Sequence, residues 1–484
     1  MTAGPPPASA VSVDPKRDGQ PRQWLKLVDW WLDGGALGPV RRFAGATVVA
    51  VGPWIVFVLT LAIISINSAP VLGRAGLEDL RLTVTYAFCF APLAAGPIGL
   101  AAAELARRAK EGEINIPVFD IARLALVLAG GGSALLALII SISLGMAPVG
   151  AAVSFILLSS AAAMLWVCFA ILSALKLFRL LISAFLGGIF LSVAGNFAVV
   201  RLAPSVDLLL WCFAAGLIFC IAQSLNHLHQ RYHRSPNKIR RAIHLLRHEI
   251  WQRRVLSVAV TLALIGIWAD KWAFWLSPDA LRSPAGFLHF SRYDSVMFVA
   301  HLSMIPTFSN MLMLRERELS AAFKSVQRQM QDHANHQAVR QSIDTLGMTA
   351  RRGGYKLLFV QATIAGMLVL AAPWIARAMS FDFQQFLVLR IALVALFLYS
   401  TFYVAGLIML MCGRIRHFLL VQLIFVILNV TFSIIFINQA GFTAYPLFLS
   451  SLISAAVAWP LAFKSISKYD FLYLLGENES LYDG

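Results

Sequence analysis

Two carboxylates and an ammonium group sit where an apolar chain should carry none. Trp268-Ala269-Asp270-Lys271-Trp272-Ala273-Phe274-Trp275 closes one apolar run, and Arg292-Tyr293-Asp294 opens the next. The first of these runs starts after Arg254, so a continuous helix carries Asp270 roughly 24 Å along its axis. Against about 30 Å of bilayer hydrocarbon, that is near the far boundary and not in bulk water. Ionisable groups at such depth are costly and are kept for pairing or transport. Asp270, Lys271 and Asp294 lie on consecutive runs, so they can meet. His301 follows about two turns deeper, and Pro306 interrupts the backbone ladder just beyond it. Arg390 falls near the same boundary in a later run. Asn196, Asn310, Gln361, Gln422 and Asn429 are neutral polar residues inside other runs.

Each of these residues has a second, purely structural use. Asp270, Lys271 and Asp294 can contact a substrate, or can form an ion-pair cluster that fixes the angle between two helices. Trp268, Trp272 and Trp275 recur at helical spacing and suit an interfacial belt, and their faces also suit sugar rings. A histidine such as His301 more commonly packs with a hydrogen bond than carries protons. The Asn and Gln residues suit interhelical hydrogen bonds. Arg390 can snorkel to the interface.

The elements that must hold this cluster are membrane helices. Hydrophobic residues make up 59% of the 484 and charged residues 13%, with mean hydropathy +0.74. A soluble domain is about half apolar and a quarter charged. Twelve runs reach spanning length, at approximately 43–67, 82–104, 119–143, 148–174, 178–200, 206–226, 255–276, 293–314, 355–376, 384–411, 415–437 and 444–463. The expected fold is an all-α polytopic membrane protein, with about twelve transmembrane helices in two six-helix bundles. The division is 1–42 (a disordered tail with a tryptophan-rich interfacial segment, Trp24–Leu32), 43–226 (first bundle), 227–254 (basic connection), 255–464 (second bundle) and 465–484 (tail).

The net charge of +16 is a topology signal before it is a partner signal. Most Lys and Arg fall in the N-terminal tail, the even-numbered connections and the C-terminus. The positive-inside rule then places both termini in the cytoplasm. The sixth connection, 227–254, pairs many basic residues with one acid, Glu249. There Ser235-Pro236-Asn237 can start a helix with Ile239, Ile243, Leu246 and Ile250 on one face, resting on anionic lipid. Nucleic acid does not fit this pattern. The eighth connection, about 315–354, spaces Leu319, Phe323, Val326 and Met330 as a cytoplasmic helix extending span eight, with a docking stripe.

No enzyme or cofactor constellation is present. The chain has no P-loop, HExxH or GxSxG motif. Its longest outward connection, about 277–292, cannot house a catalytic domain. The five cysteines all fall in apolar runs with no metal spacing, and read as small core residues. His227, His229 and His233 lack supporting ligands, so no metal is expected.

The block Trp268–Trp275, followed by Tyr293-Asp-Ser-Val-Met-Phe-Val-Ala-His-Leu-Ser-Met-Ile-Pro306, resembles the PelG family of inner-membrane transporters for the Pel exopolysaccharide. Gly52-Pro53-Trp54, Val84-Thr85-Tyr86-Ala87-Phe88, Gly96-Pro97 and Cys168–Leu175 also match, and the likeness covers roughly 45–470. It implies the multidrug/oligosaccharidyl-lipid/polysaccharide flippase fold. It also implies export of an amino-sugar-rich polymer, with a cytosolic glycosyltransferase and membrane-anchored Pel-type subunits as partners. Asp270, Lys271, Trp272, Trp275, Tyr293, Asp294 and Pro306 are carried over as motif matches.

The expected function is therefore export of a Pel-like polysaccharide through a bacterial inner membrane, between two bundles, by alternating access or a channel-like route. Polymerisation or an ion gradient would drive it. Two alternatives are kept: a flippase for lipid-linked oligosaccharide or an ion-coupled drug antiporter, and a non-transporting scaffold of a synthase complex.

Overall fold

The computed structural model describes residues 52–112, 117–232, 239–332 and 335–469. The tail with its Trp24–Leu32 segment, Ser235-Pro236-Asn237 and all residues after 469 lie outside the described residues.

Apolar runs form helices because only a helix satisfies every backbone polar group within one segment in lipid. The first helical stretch, Gly52–Glu111, holds 60 residues, about 90 Å if unbroken. It is not unbroken: Gly73 has φ 65° and ψ −173°, a left-handed geometry that glycine tolerates without a Cβ clash. Gly73 divides it into α1 (52–72) and α2 (74–111). There follow α3 (Val118–Ser143), α4 (Val149–Ala174), α5 (Phe178–Leu202) and α6 (Val206–Arg231). Helix α7 (Ile239–Gln252) is the connector. Beyond it lie α8 (Arg254–Gly266), α9 (Ala269–Trp275), a hairpin of β1 (Leu281–Arg282) and β2 (Leu288–His289), α10 (Ser291–Leu302), α11 (Ile305–Met313) and α12 (Ser320–Gln331). Helices α13 (His336–Ala378), α14 (Phe383–Met411), α15 (Ile415–Ile435) and α16 (Tyr445–Ser467) complete the chain.

Ten described helices are long and apolar enough to cross a membrane, and the bent pair α8–α9 makes an eleventh. Dividing the first stretch at Gly73 gives a twelfth. The protein is an all-α, two-bundle membrane protein. Helices before α7 pack chiefly on one another, α2 against α4 and α5 against α6. Those after it do the same, α14 against α16 and α8 against α15. The only strands among the described residues are the hairpin's two, antiparallel with Leu281 opposite His289.

The connector and the eighth connection lie on one face, termed here the basic face. Two expectations for that face change. Helix α7 does not turn one apolar stripe outward. Ala242, Leu246 and Glu249 are buried against α2 and α3, while Ile239 and Ile243 stay exposed. Glu249 pulls the helix inward: its side chain is 2% exposed and meets Arg108 at 3.3 Å and also Arg253. Arg253 reaches on to Glu104 at 2.9 Å. The second change concerns 315–354, which is a helical hairpin and not one extension. After a π-helical turn, Leu314–Leu319, α12 folds back on the long α13. Leu319, Phe323 and Val326 are buried, with Phe323 edge-on to Tyr469 at 5.0 Å. The stripe is consumed inside the protein and is not a free docking surface.

Candidate functional site

The charged block sits at a break in span seven. Helix α8 has 13 residues, about 20 Å, too short for the hydrocarbon alone. At Gly266–Ala269 the chain bends by 52° into α9. The continuous helix read from the sequence does not form, and the charges lie at the break. The reason is local packing and carbonyl capture. A Cβ at Gly266 would lie 2.8 Å from a ring carbon of Phe425 on α15, so glycine lets α15 press against the bend. A break frees backbone carbonyls, which in lipid need donors. Asn429 Nδ2 donates to the Gly266 carbonyl at 3.1 Å. Lys271 Nζ donates to the Ile267 carbonyl at 3.0 Å and lies over the Trp268 ring at 5.3 Å.

Both carboxylates are occupied by the chain's own donors. Asp270 is fully buried; Tyr293 Oη donates to it, and Lys271 Nζ stands 3.5 Å from its other oxygen. Asp294 accepts from Trp275 Nε1 at 2.9 Å and from the Phe290 backbone N–H at 3.0 Å. Two of these bonds, Tyr293 to Asp270 and Trp275 to Asp294, join span seven to span eight. The cluster therefore fixes these two spans to each other, as a satisfied buried network does.

The same block also crosses to the first bundle. Trp275 stacks on Tyr86 of α2, with centroids 4.6 Å apart and planes 12° apart. Trp272 stacks on Phe90 at 5.1 Å and 6°, and its Nε1 donates to Cys89 Sγ at 3.1 Å. Tyr86 Oη donates to the Leu288 carbonyl at 2.6 Å. Phe287 of the hairpin meets Phe155 of α4 at right angles, 5.5 Å away. The Ala285 N–H donates to Asp79 at 3.0 Å, and Arg282 donates to the Leu144 carbonyl. The end of span seven and the hairpin thus close the seam between bundles on the face away from the basic one.

The remaining sequence candidates divide. Asp270, Lys271, Trp272, Trp275, Tyr293 and Asp294 come together. Trp275 is buried, and the tryptophans fill the seam and do not ring a lipid interface. His301 donates through Nδ1 to the Met297 carbonyl at 2.7 Å, a contact within its own helix. Pro306 sits at the start of α11; its ring excludes the carbonyl four residues back, Leu302, where α10 ends. Arg390 stands apart, exposed on α14 with its guanidinium 5.8 Å from the Phe386 ring centroid. Tyr86, Cys89, Phe90, Phe287 and Asn429 belong to the site as well. Asn429 is one of the neutral polar residues and Tyr86 lies in a matched stretch, whereas Cys89, Phe90 and Phe287 give no signal by spacing, because each acts on a partner distant in sequence. Among the described residues no cluster of His, Cys, Asp and Glu could hold a metal.

Two helical bundles joined at a broken span make a polytopic membrane fold that solved structures share. MATE bound to MaL6 has a TM-score of 0.62 at 14% identity, covering 91% of this chain and 99% of that one. An outward-facing multidrug resistance MATE family transporter of the MOP superfamily has a TM-score of 0.58 at 14% identity, over 92% and 98%. A MOP superfamily transporter from Pyrococcus furiosus Vc1 (DSM3638) gives 0.57 at 14% identity, over 91% and 98%. No curated protein sequence matches the chain. Residues 32–472 match PelG, described as "Putative exopolysaccharide Exporter (EPS-E)". The chain belongs to the PelG family.

Proposed function

We propose that this protein carries a Pel-like, amino-sugar-rich exopolysaccharide across the bacterial inner membrane, from the basic face to the opposite one. In this reading the basic face is cytoplasmic, as the distribution of Lys and Arg favours. The supporting observation is the seam: Trp275 on Tyr86 and Trp272 on Phe90 join the bundles at the end where a polymer would leave. Aromatic pairs of this kind contribute about 0.5–1.5 kcal/mol each beyond burial, small enough for a transport cycle to reverse. When the seam parts, the indole faces become platforms for sugar rings. Asp294 then loses the Trp275 N–H and can meet an amino sugar's cation.

A cytosolic glycosyltransferase would feed the polymer, and membrane-anchored Pel-type subunits would receive it. Anionic lipid would meet the exposed edge of α7, where Ile239 and Ile243 flank Arg240 and Arg247.

The test is secreted amino-sugar polymer from cells carrying the wild-type chain or Asp270→Asn plus Asp294→Asn. Secretion is expected to fall at least about tenfold at equal protein level in the membrane, a loss of ~1.4 kcal/mol in the limiting step. Unchanged secretion overturns the reading.

A further inference from the structure

Arg390 has no role in the seam, yet it is an arginine inside a spanning helix. Helix α14 starts at Phe383, capped by Asp382. The exposed Arg292–Asp382 pair, at 3.8 Å, marks a polar boundary there. Arg390 lies seven residues further in, about 10 Å below that boundary.

Its direction on the helix follows from 100° per residue. Gln385 donates to the Arg292 carbonyl and to Ser295 of span eight. Leu387, Arg390 and Val394 occupy the opposite face of α14. That face opens into a groove of about 320 Å³, completed by Val369 of α13, Ile391 of α14, and Tyr445 and Phe448 of α16. Met367, Leu370 and Trp374 of α13 are exposed nearby, as expected of a helix facing acyl chains. The groove is thus on the perimeter of the second bundle, away from the seam.

Among the residues that line it, the guanidinium is the sole charge. Its contact is the ring of Phe386, and among the described residues no carboxylate pairs with it. A cation at this depth is costly without a partner, and guanidinium geometry fits a phosphate through two parallel hydrogen bonds. Asp382, the acid that caps α14 at the boundary, faces Arg292. Arg377, exposed in the last turn of α13, adds a second cation on that side. We infer that this groove is a binding site for an anionic phospholipid of the leaflet opposite the basic face. The lipid phosphate sits on Arg390, and one acyl chain lies in the groove against Tyr445 and Phe448. Arginine's stem bridges the depth by extending toward the headgroup.

The inference is independent of what the protein transports. Its test is native mass spectrometry of the full-length protein in detergent, titrated with phosphatidylglycerol. Phosphatidylcholine of the same chains and inorganic phosphate serve as controls. The wild type is expected to hold one phosphatidylglycerol tightly, and Arg390→Gln to weaken that binding about tenfold, ~1.4 kcal/mol. Val394→Trp fills the groove while keeping the charge, and is expected to weaken it as well. Arg390→Lys retains part of the affinity. Equal binding by Arg390→Gln overturns the proposal, as does equal binding of phosphatidylcholine. Inorganic phosphate displacing the lipid at similar concentration would do the same, by reducing the site to an anion contact.

Discussion

Tyr86 of span two and Trp275 of span seven stack face to face, 4.6 Å apart and 12° from parallel. Both rings are also held by hydrogen bonds that run back into the second half of the chain. Tyr86 donates to the Leu288 carbonyl at 2.6 Å, and Trp275 donates to Asp294. The aromatic contact between bundles is therefore aimed by polar contacts, and a change in either should be felt at the seam.

Opening of the seam can be read at Cys89. This thiol is buried and receives the Trp272 N–H at 3.1 Å. In a chain whose other four cysteines are replaced by alanine or serine, Cys89 should react slowly with a membrane-impermeant maleimide. Trp275→Ala removes the stack on Tyr86 and should speed labelling severalfold. Unchanged labelling, with the protein still folded, would mean that the stack does not hold the seam closed.

Asp294 should be more sensitive to a change of charge type than to a change of size. Its carboxylate accepts from Trp275 and Phe290. Asp294→Asn replaces an acceptor oxygen with an N–H donor that faces a donor. A buried group left unsatisfied costs about 1–3 kcal/mol, so the melting temperature in detergent should drop by several degrees. Asp294→Glu, which keeps the acceptors, should recover part of the loss.

What the sequence makes legible follows from how far each signal reaches. Runs of apolar residues declare spans because a helix must cross the bilayer with its backbone satisfied. That Asp270, Lys271 and Asp294 fall in one cluster follows from one short connection between consecutive spans, although the bonds across it run from Tyr293 to Asp270 and from Trp275 to Asp294. The bend between them does not follow, because it depends on Phe425 and Asn429, which a later span brings to Gly266. Tyr86 and Phe90 look like ordinary span residues until their partners in span seven are placed beside them. Leu319, Phe323 and Val326 show the opposite error. Their spacing correctly signals a helix with an apolar face, but spacing cannot say that α13 covers it.

On the basic face, Glu249 should prove to be the anchor of the connector helix. It is almost fully buried and meets Arg108 and Arg253, while both arginines keep partial exposure. Removing one partner of a buried pair leaves a charge uncompensated, at up to about 3–5 kcal/mol; solvent at the arginines reduces this to about 1–3 kcal/mol. Glu249→Gln should accordingly destabilise the protein and expose 239–252 to limited proteolysis. A double-mutant cycle with Arg108→Gln should show a coupling of at least about 0.5 kcal/mol, the size expected of residues in direct contact. Strict additivity would place the anchor elsewhere.

Gly266 and Phe425 give the sharpest test of the bend itself. A Cβ at Gly266 would stand 2.8 Å from one ring carbon of Phe425, 2.9 Å from another and 3.4 Å from a methyl of Val426. An aromatic ring packed between helices cannot swing aside as a flexible chain end can. Gly266→Ala must therefore push α15 away from span seven, and overpacking of this kind costs about 1–3 kcal/mol. The displacement would also lengthen the Asn429 bond to the Gly266 carbonyl, so the cost should exceed that of a simple clash. Phe425→Leu in the same chain removes Cε1, the ring carbon 2.9 Å from the new methyl group, and replaces the rigid Cδ1 with a methyl that can turn away. It should restore much of the melting temperature lost to Gly266→Ala, although alone it opens a cavity and destabilises. Such a sign change, with Phe425→Leu harmful alone and helpful beside Gly266→Ala, is hard to obtain unless the glycine exists to admit that ring. If the two losses simply add, the bend is held by the Asn429 and Lys271 contacts to the freed carbonyls, not by the close approach of α15.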